Sequence, residues 1–378
     1  MESSKDKVPI EDYKWILRST QTKQIIQQQG DYVGKSLFYV ALKDEENYLL
    51  FSSRCGFKLY KDGLLFYEKK DQYEDDQILK GVIYVPKHNC YLIDLNNRVY
   101  RKDVNKHKIY IFIEKRYAES WNEVKYCPET DRLLYDQFYE KVAVVNPLTK
   151  RHEIELRHSS RRDCSIKDFG FFGGGSPSGL MVIVLYDELE IGLFRAICNP
   201  GQKRGMLDLY EIDSLLGSVK EETSNIALAG NGRTFCVALA EEVYLYPTRI
   251  IIFSISEDDD SIIEKAQVNL YGLKRARIFR GIFQHVFEEE EKEEGDAQKM
   301  FFVAYTTLNM LYGTFFLFEY DPFQDELKEV ERRRAKFCKG HPLKVCQLHR
   351  KEYFFHSEVA GVRKMALENP GKGLGNNL

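Results

Sequence analysis

Seven stretches of this chain each contain three or four short segments that read as β-strands, separated by brief polar turns. The first stretch runs through residues 37–42, 47–52, 57–60 and 64–68, and the second repeats the pattern over residues 81–114. The seven stretches begin at Leu37, Gly81, Asn122, Ile166, Asn225, Arg277 and Leu343. A unit of this size cannot cover its own apolar face, so it must pack against neighbouring units. The repetition therefore predicts a fold built from a series of small sheets.

Composition favours strands over helices. The chain has 24 Tyr and 24 Phe among its 378 residues, and aromatic residues suit the pleated, half-buried surface of a sheet. We therefore expect an all-β fold, a seven-bladed β-propeller. Residues 11–368 are expected to form this single domain, between flexible tails at 1–10 and 369–378. Six blades are the alternative, if the fifth and sixth stretches are divided differently.

The two ends of the chain predict how such a ring closes. The last stretch accounts for three strands, whereas an unassigned strand at residues 13–17 or 23–28 precedes the first stretch. An N-terminal strand that completes the last blade removes an open sheet edge, which otherwise invites aggregation. We expect this strand to pair with residues 361–367.

The last stretch also carries the pattern of a known repeat. Gly340 and His341 precede a strand, and Met365 and Ala366 stand in a later strand, where a Trp-Asp pair is usual. Residues 339–367 thus resemble a WD40 repeat, although no other stretch has a clear Gly-His or Trp-Asp pair. The resemblance implies a divergent WD40-like β-propeller, and it implies a role as a protein-interaction scaffold.

Charge and hydropathy narrow the classes of partner. The net charge is −3 and the isoelectric point is near 6.3, so no global field attracts a polyanion, and nucleic acid is not an expected partner. The first ten residues lack the apolar core of a signal peptide, and no apolar run approaches the ~20 residues that span a bilayer. Eight cysteines stand singly, as in proteins of a reducing compartment. These features predict a cytoplasmic protein without a membrane partner, with the nucleus as the alternative.

Four residues near the C-terminus have side chains of the kind that zinc accepts. They are Cys338, His341, Cys346 and His349, which offer two thiols and two imidazoles. Cys346 and His349 lie three positions apart in an expected strand, so their side chains point to opposite faces of the sheet. The sequence therefore predicts no metal site.

No motif predicts a catalytic residue or a bound cofactor. Residues 34–36, Gly-Lys-Ser, resemble the end of a phosphate-binding loop, but Gly30 stands one residue too close and a strand follows instead of a helix. Enzymes with the propeller architecture gather polar side chains from several blades around the central channel. The loose candidates for such a group are Asp94, Asp136, His285 and His356.

Two charged segments are the candidates for binding a partner. One contains Glu288, Glu289, Glu290 and Glu291, and the other is Arg332, Arg333 and Arg334. Six glutamates in residues 288–294 repel each other and offer little apolar surface, so we expect residues 287–298 to be a mobile loop. Residues 324–336 fit either a short surface helix or a final strand followed by a basic turn. Rims of opposite charge favour different partners and supply specificity more than affinity.

The resemblance to WD40 proteins implies a soluble intracellular scaffold that binds a protein or peptide on a loop face, without catalysis. One alternative is an enzyme or small-molecule binder that uses the mouth of the channel. The other is a constitutive subunit of a large assembly, which an exposed apolar patch above a few hundred Å² would indicate.

Overall fold

The computed structural model of the chain describes the following residues: 14–19, 37–44, 46–52, 56–70, 79–95, 97–106, 108–114, 124–137, 140–150, 152–159, 164–172, 180–196, 205–213, 221–228, 233–241, 247–270, 276–285, 299–308, 312–336, 342–348, 352–357 and 361–368.

The strands of the described residues form seven four-stranded antiparallel sheets. The chain begins with β1 (Lys14–Ser19). Sheet 1 then consists of β2 (Leu37–Asp44), β3 (Asn47–Ser52), β4 (Gly56–Lys61) and β5 (Leu64–Lys69). Sheet 2 consists of β6 (Leu79–Val85), β7 (Cys90–Leu95), β8 (Arg98–Asp103) and β9 (Ile109–Glu114), with a short 3-10 helix, Pro86–His88, in its first turn. Sheet 3 consists of β10 (Lys125–Cys127), β11 (Arg132–Gln137), β12 (Lys141–Val145) and β13 (His152–Arg157).

Among the remaining sheets, sheets 5 and 6 have the longest strands. Sheet 4 consists of β14 (Ile166–Phe172), β15 (Met181–Tyr186), β16 (Glu190–Arg195) and β17 (Gly205–Glu211). Sheet 5 consists of β18 (Glu221–Leu228), β19 (Thr234–Glu241), β20 (Pro247–Ile255) and β21 (Ile262–Asn269). Sheet 6 consists of β22 (Ala276–His285), β23 (Met300–Leu308), β24 (Tyr312–Asp321) and β25 (Glu326–Lys336). Sheet 7 contains β26 (Pro342–Leu348), β27 (Glu352–Ser357) and β28 (Gly361–Glu368).

Sheet 7 takes its fourth strand from the other end of the chain. β1 pairs antiparallel with β28, in a register that runs from Lys14 opposite Glu368 to Ser19 opposite Arg363. This strand overlaps the first of the two segments predicted from the sequence, residues 13–17. The second segment, residues 23–28, lies outside the described residues.

The first strand of each sheet occupies the centre of the arrangement. β2, β6, β10, β14, β18, β22 and β26 each contact the first strand of the sheet before and of the sheet after, and β26 in turn contacts β2. The hydrogen-bonded order within each sheet then puts the fourth strand furthest from the centre. Such an order explains why β5, the fourth strand of sheet 1, carries exposed side chains while β3 and β4 are mostly buried.

The core lies between successive sheets, because side chains of one strand alternate between two interfaces. Along β15, Met181, Ile183 and Leu185 pack towards sheet 5, whereas Val182, Val184 and Tyr186 pack towards sheet 3. All six residues are buried. A strand covered on both faces reads as a continuous apolar run, which accounts for the apolar segments of this sequence.

One segment that the sequence left open is a strand. Residues 326–336 form β25, which pairs with β24 from Asp321 opposite Glu326 to Tyr312 opposite Lys336, so the helical alternative for residues 324–336 is wrong. Leu327 on this strand is buried in the core between sheets 5 and 6. Residues 205–211 form β17 in the same position of sheet 4.

Candidate interaction face

Every sheet has two ends with different turns. Since the strands are antiparallel, the turn between the first and second strands and the turn between the third and fourth strands lie at the same end. We call this end the first-turn face. The opposite end, which carries the second turn and the connection to the next sheet, is the crossover face.

Aspartates make several tight turns of the first-turn face. Asp62, Asp131, Asp260 and Asp325 have φ angles of 51°, 55°, 57° and 49°. Asp and Asn enter this left-handed region more readily than other residues with a side chain, because their short polar group hydrogen-bonds locally. The chain can therefore reverse direction within few residues, which keeps these turns short and rigid.

Charged contacts join the turns of one sheet to those of the next. His88, in the first turn of sheet 2, places Nε2 2.9 Å from Oδ1 of Asp131, in the first turn of sheet 3, and Lys87 Nζ lies 3.2 Å from the other carboxylate oxygen. Burial alone would raise the pKa of Asp131, but hydrogen bonds from Lys87 and Tyr126 and the contact with His88 outweigh it and hold the pKa below its ordinary value. The aspartate is therefore ionised and fixes two sheets together.

The same kind of contact recurs further along the chain. Arg195, at the end of β16, lies 2.9 Å from Asp260 in the third turn of sheet 5. Lys265, on β21, lies 3.4 Å from Asp325 in the third turn of sheet 6. First and third turns from neighbouring sheets are thus side by side and form one surface.

The large apolar side chains that are exposed in the described part of the chain concentrate on this surface. All but Leu209 lie in a first or third turn, or in the half of a strand nearest to one. They are Leu64, Leu65, Phe66, Tyr84, Tyr110, Ile111, Leu148, Leu207, Leu209, Ile263 and Phe323. Single exposed apolar residues are ordinary, whereas a contiguous group of them is a candidate interaction surface.

The densest part of this surface is the start of β5. Leu64, Leu65 and Phe66 are 74%, 50% and 40% exposed. In the described residues β5 pairs with β4 alone, so its other edge faces outward. Two lysines flank the aromatic ring, with Lys61 Nζ 5.9 Å and Lys102 Nζ 5.6 Å from the ring centroid of Phe66. An unpaired edge beside apolar and cationic groups is suited to binding an extended segment.

Lys102 is fixed in place, unlike a typical surface lysine. It is buried, and its ammonium group donates to the backbone carbonyl oxygens of Asp103 and Lys106. Burial lowers its pKa, and the nearby carboxylate of Asp103 opposes this change in part. The ammonium also lies 5.1 Å from the ring centroid of Tyr67, so one cation holds sheet 2 against the aromatic residues of β5.

The apolar surface continues across sheets 2 and 3. Tyr110 and Ile111 are exposed on β9, and Leu148 is exposed in the third turn of sheet 3. Lys150 bridges the two sheets, because its Nζ lies 5.5 Å from the ring centroid of Tyr110 and 3.4 Å from the carbonyl oxygen of Ile111. We call Leu64, Leu65, Phe66, Tyr110 and Ile111, with the neighbouring lysines, the β5–β9 rim.

The space between sheets 1 and 2 is too small for a ligand. A cavity there has a volume of about 10 Å³ and is lined by Leu49, Phe57, Leu59, Tyr67, Tyr91, Ile93, Lys102 and Ile109. A space of this size holds at most one water molecule. The two sheets are therefore packed together at this position.

The two charged segments predicted from the sequence have different locations. Arg332, Arg333 and Arg334 lie in the half of β25 nearest to the crossover face, where they pair with residues 314–316 of β24. Arg332 donates two hydrogen bonds to Glu329, of 2.7 and 2.6 Å, and stacks on Phe316 with 5.0 Å to the ring centroid. Its charge is therefore engaged within the sheet. Arg333 is exposed.

The acidic segment with Glu288, Glu289, Glu290 and Glu291 lies outside the described residues. The strands that flank it are β22 and β23, which pair as a hairpin with His285 opposite Phe301. Both strands meet the segment at the first-turn face of sheet 6. The expected mobile loop over residues 287–298 stays a prediction.

The candidates for chemistry in the channel lie at different ends of their sheets. Asp94 and Asp136 occupy the last half of the second strands β7 and β11, at the crossover face, as does His356 on β27, whereas His285 ends β22 at the first-turn face. The fully buried carboxylate of Asp94 accepts a hydrogen bond of 2.7 Å from the backbone N–H of Val124, just before β10. This contact is structural, because it ties sheet 3 to sheet 2.

The structure also brings together three side chains that the sequence did not single out. His158, Cys164 and Glu190 place one potential ligand atom each within 4.8 Å of one another. They come from the connection between sheets 3 and 4 and from the second turn of sheet 4, so no local spacing motif links them. Of the four residues in the predicted Cys/His pattern, Cys346 lies on β26, and Cys338, His341 and His349 lie outside the described residues.

Comparison with known proteins identifies the fold. No protein-family model and no curated protein matches the sequence. Solved structures do match: the β-propeller domain of Cps50 (Swd1) from Myceliophteria thermophila has a TM-score of 0.58 at 10% identity, covering 89% of this chain and 97% of that domain. Raptor from Chaetomium thermophilum has a TM-score of 0.55 at 10% identity. The match covers 94% of this chain and 29% of the Raptor chain.

The fold is a β-propeller. This confirms, at the level of the fold, the β-propeller that the resemblance to WD40 repeats implied. In a propeller the turns of all blades form two faces around the ring, and the exposed apolar residues of this propeller favour one of them. No helix among the described residues is long and apolar enough to cross a membrane.

Proposed function

We propose that this propeller is a non-catalytic scaffold that binds a protein partner through its first-turn face. The observation that carries this proposal is the concentration of exposed apolar side chains at that face, with three consecutive ones on the outer strand β5. Exposed apolar side chains gain free energy when a partner covers them, at roughly 25 cal/mol per Å². The similarity to a solved β-propeller domain supports the fold of the proposed scaffold. The exposed apolar residues of the first-turn face support the proposal that this face binds the partner.

The ring is proposed to have seven blades, closed by the N-terminal strand. Seven four-stranded sheets, the contacts between their first strands, and the pairing of β1 with β28 support this arrangement. Closure gives the binding face a fixed geometry, because each blade is held by two neighbours. A rigid surface loses less conformational entropy when it binds a partner.

The partner is proposed to present an extended segment with apolar and acidic side chains. An extended segment can pair with the outer edge of β5, as in other cases of strand addition. Leu64 and Phe66 contribute apolar contacts, while Lys61 and Lys150 attract carboxylates and steer association. The competing proposal places binding at Arg332, Arg333 and Arg334, on the half of the outer strand β25 that is nearest to the crossover face.

Affinity purification from the native cell, with quantitative identification of the co-purifying proteins, tests this proposal. The variant Leu64→Glu with Phe66→Glu should lose the partner that the unchanged chain retains. The variant Arg333→Glu is the control for a charge change on an exposed outer strand near the crossover face, and it should retain the partner. If Arg333→Glu loses the partner and the β5 variant retains it, the partner binds to the arginines of β25 instead.

The exposed apolar residues support a second role, as a permanent subunit of a larger assembly. Gel filtration of a native lysate separates the two roles. A scaffold with exchangeable partners leaves a free fraction near the mass of the chain, 44.3 kDa, whereas a permanent subunit leaves none. A cytoplasmic location is part of the same proposal, and cell fractionation checks it.

A further inference from the structure

His158, Cys164 and Glu190 come from three segments that meet at the crossover face of sheet 4. His158 directly follows β13, the last strand of sheet 3, and Cys164 lies just before β14, the first strand of sheet 4. Glu190 begins β16 after the second turn of sheet 4. The three residues therefore join the connection between two blades to a turn of the second blade.

All three side chains are buried. The side chains of His158 and Glu190 are 1% and 7% exposed, and Cys164 is 3% exposed as a residue. The ring of Tyr186 meets the His158 ring edge to face, with centroids 4.9 Å apart, and so fixes the plane of the imidazole. An ionisable carboxyl group in such a place requires a compensating charge or ligand.

The geometry suits coordination of one ion. His158 Nε2 lies 3.0 Å from Glu190 Oε2, and no two of the three ligand atoms are more than 4.8 Å apart. One point therefore lies within about 2.8 Å of all three ligand atoms, compared with the ~2.0–2.3 Å typical of zinc with nitrogen, oxygen and sulfur ligands. Side-chain shifts of about half an ångström or more would bring all three atoms into range.

We propose that His158, Cys164 and Glu190 form a binding site for a divalent metal ion of the zinc type. One imidazole nitrogen, one thiolate and one carboxylate are a donor set that zinc accepts, and a water molecule completes the tetrahedron. On binding, the Cys164 thiol releases its proton to solvent and the sulfur–metal bond forms, while the hydrated ion exchanges its water molecules for the three protein ligands and keeps only one of them. The expectation of no metal, drawn from Cys338, His341, Cys346 and His349, concerned different residues.

The consequence of the site is a link between blades. The ion would link the connection after β13 to the second turn of sheet 4. Without an ion, side-chain packing alone would hold these two segments together. A metal that binds only the folded protein stabilises it by mass action. The competing interpretation is a His158–Glu190 ion pair beside an ordinary buried thiol, which predicts no bound metal.

The test is metal analysis of the full chain purified without a histidine tag, together with cobalt substitution. We expect about one equivalent of zinc, and an intense thiolate-to-cobalt absorption band in the cobalt form. Both should be lost in Cys164→Ala. The matched control is Cys236→Ala, which removes another buried thiol, in a wholly apolar environment, and should keep both signals.

Three outcomes would overturn the proposal. The first is protein that holds no zinc and gives no cobalt–thiolate band after cobalt is added. The second is a band that persists in Cys164→Ala, which would place the metal elsewhere. The third outcome concerns the variant Glu190→Gln, which keeps the size of the side chain. This variant takes the place of Cys164→Ala in the test if Cys164→Ala does not fold. Unchanged metal affinity in Glu190→Gln, measured by competition with a chelator, would exclude Glu190 as a ligand.

Discussion

Trp15, on the first strand of the chain, lies directly opposite Leu367, on the last. The two residues belong to one sheet although almost the whole sequence separates them. Each end of the chain therefore depends on the other for backbone hydrogen bonds. This pairing gives the N-terminal strand a structural role in the last sheet.

Removal of the N-terminal strand should destabilise the whole propeller. Deleting residues 1–28 removes the partner of β28 and exposes an open edge of sheet 7. We expect the free energy of unfolding to fall by more than about 4 kcal/mol, which is a larger effect than most single substitutions have. Thermal unfolding followed by circular dichroism measures it. Deleting residues 1–10 is the control and should change little. An unchanged melting temperature for the longer deletion would disprove closure by this strand.

Gly192 should not tolerate a side chain. A Cβ atom at this position of β16 would lie 2.8 Å from a ring carbon of Phe194 and 3.1 Å from one of Tyr186. We expect Gly192→Ala to cost about 1–3 kcal/mol through overpacking, measured by chemical denaturation. If Phe194 is the obstacle, Gly192→Ala combined with Phe194→Leu should cost less than the sum of the two single changes. Strict additivity would show that the ring does not set the limit.

The Asp131 contacts should make stability depend on pH in the acid range. The pKa of Asp131 in the folded protein lies below its ordinary value of 3.8, so its contribution is fully present above that value and is lost as the pH falls through the folded pKa. The variant Asp131→Asn keeps a residue type that tolerates the positive φ angle. It should lower the free energy of unfolding by about 1–3 kcal/mol at pH 7.

The difference between the unchanged protein and Asp131→Asn should therefore shrink below about pH 4. Denaturation at a series of pH values measures this difference. Asp62→Asn is the control, because Asp62 occupies the same backbone region in an exposed turn. A difference that stays constant down to about pH 2 would mean that the charge of Asp131 does not contribute.

The acidic segment should not contribute to stability. Replacing the six glutamates of residues 288–294 with Ser and Gly should leave the free energy of unfolding within about 0.5 kcal/mol, as for other exposed positions. Differential scanning calorimetry compares the two proteins. A drop of several degrees in the melting temperature would show that the segment packs against the propeller.

Most of the fold was predictable because its signal is local. The alternation and turn residues located the repeating units, and the predicted start at Gly81 lies within the structural strand β6. Residues 324–336 were ambiguous because a charged outer strand lacks alternation strong enough to exclude a helix. Only pairing with β24 decides it.

The candidate site was harder to predict, because exposure depends on topology. In the sequence, Leu64, Leu65 and Phe66 look like any apolar strand, and nothing local reveals that β5 is the outermost strand of its sheet. The trio of His158, Cys164 and Glu190 was invisible for a related reason. Its members meet only after two blades have packed together, so their spacing along the chain carries no signal.

The most direct test of binding through the first-turn face is backbone hydrogen exchange of the protein, alone and in complex with the partner that co-purifies with it. We predict that the partner slows exchange in peptides covering β5 and β9, because an added strand protects backbone N–H groups at the sheet edge. Peptides of β25 around Arg333 should be unaffected. Protection confined to β25 or to the crossover face, with none at β5, would contradict the account.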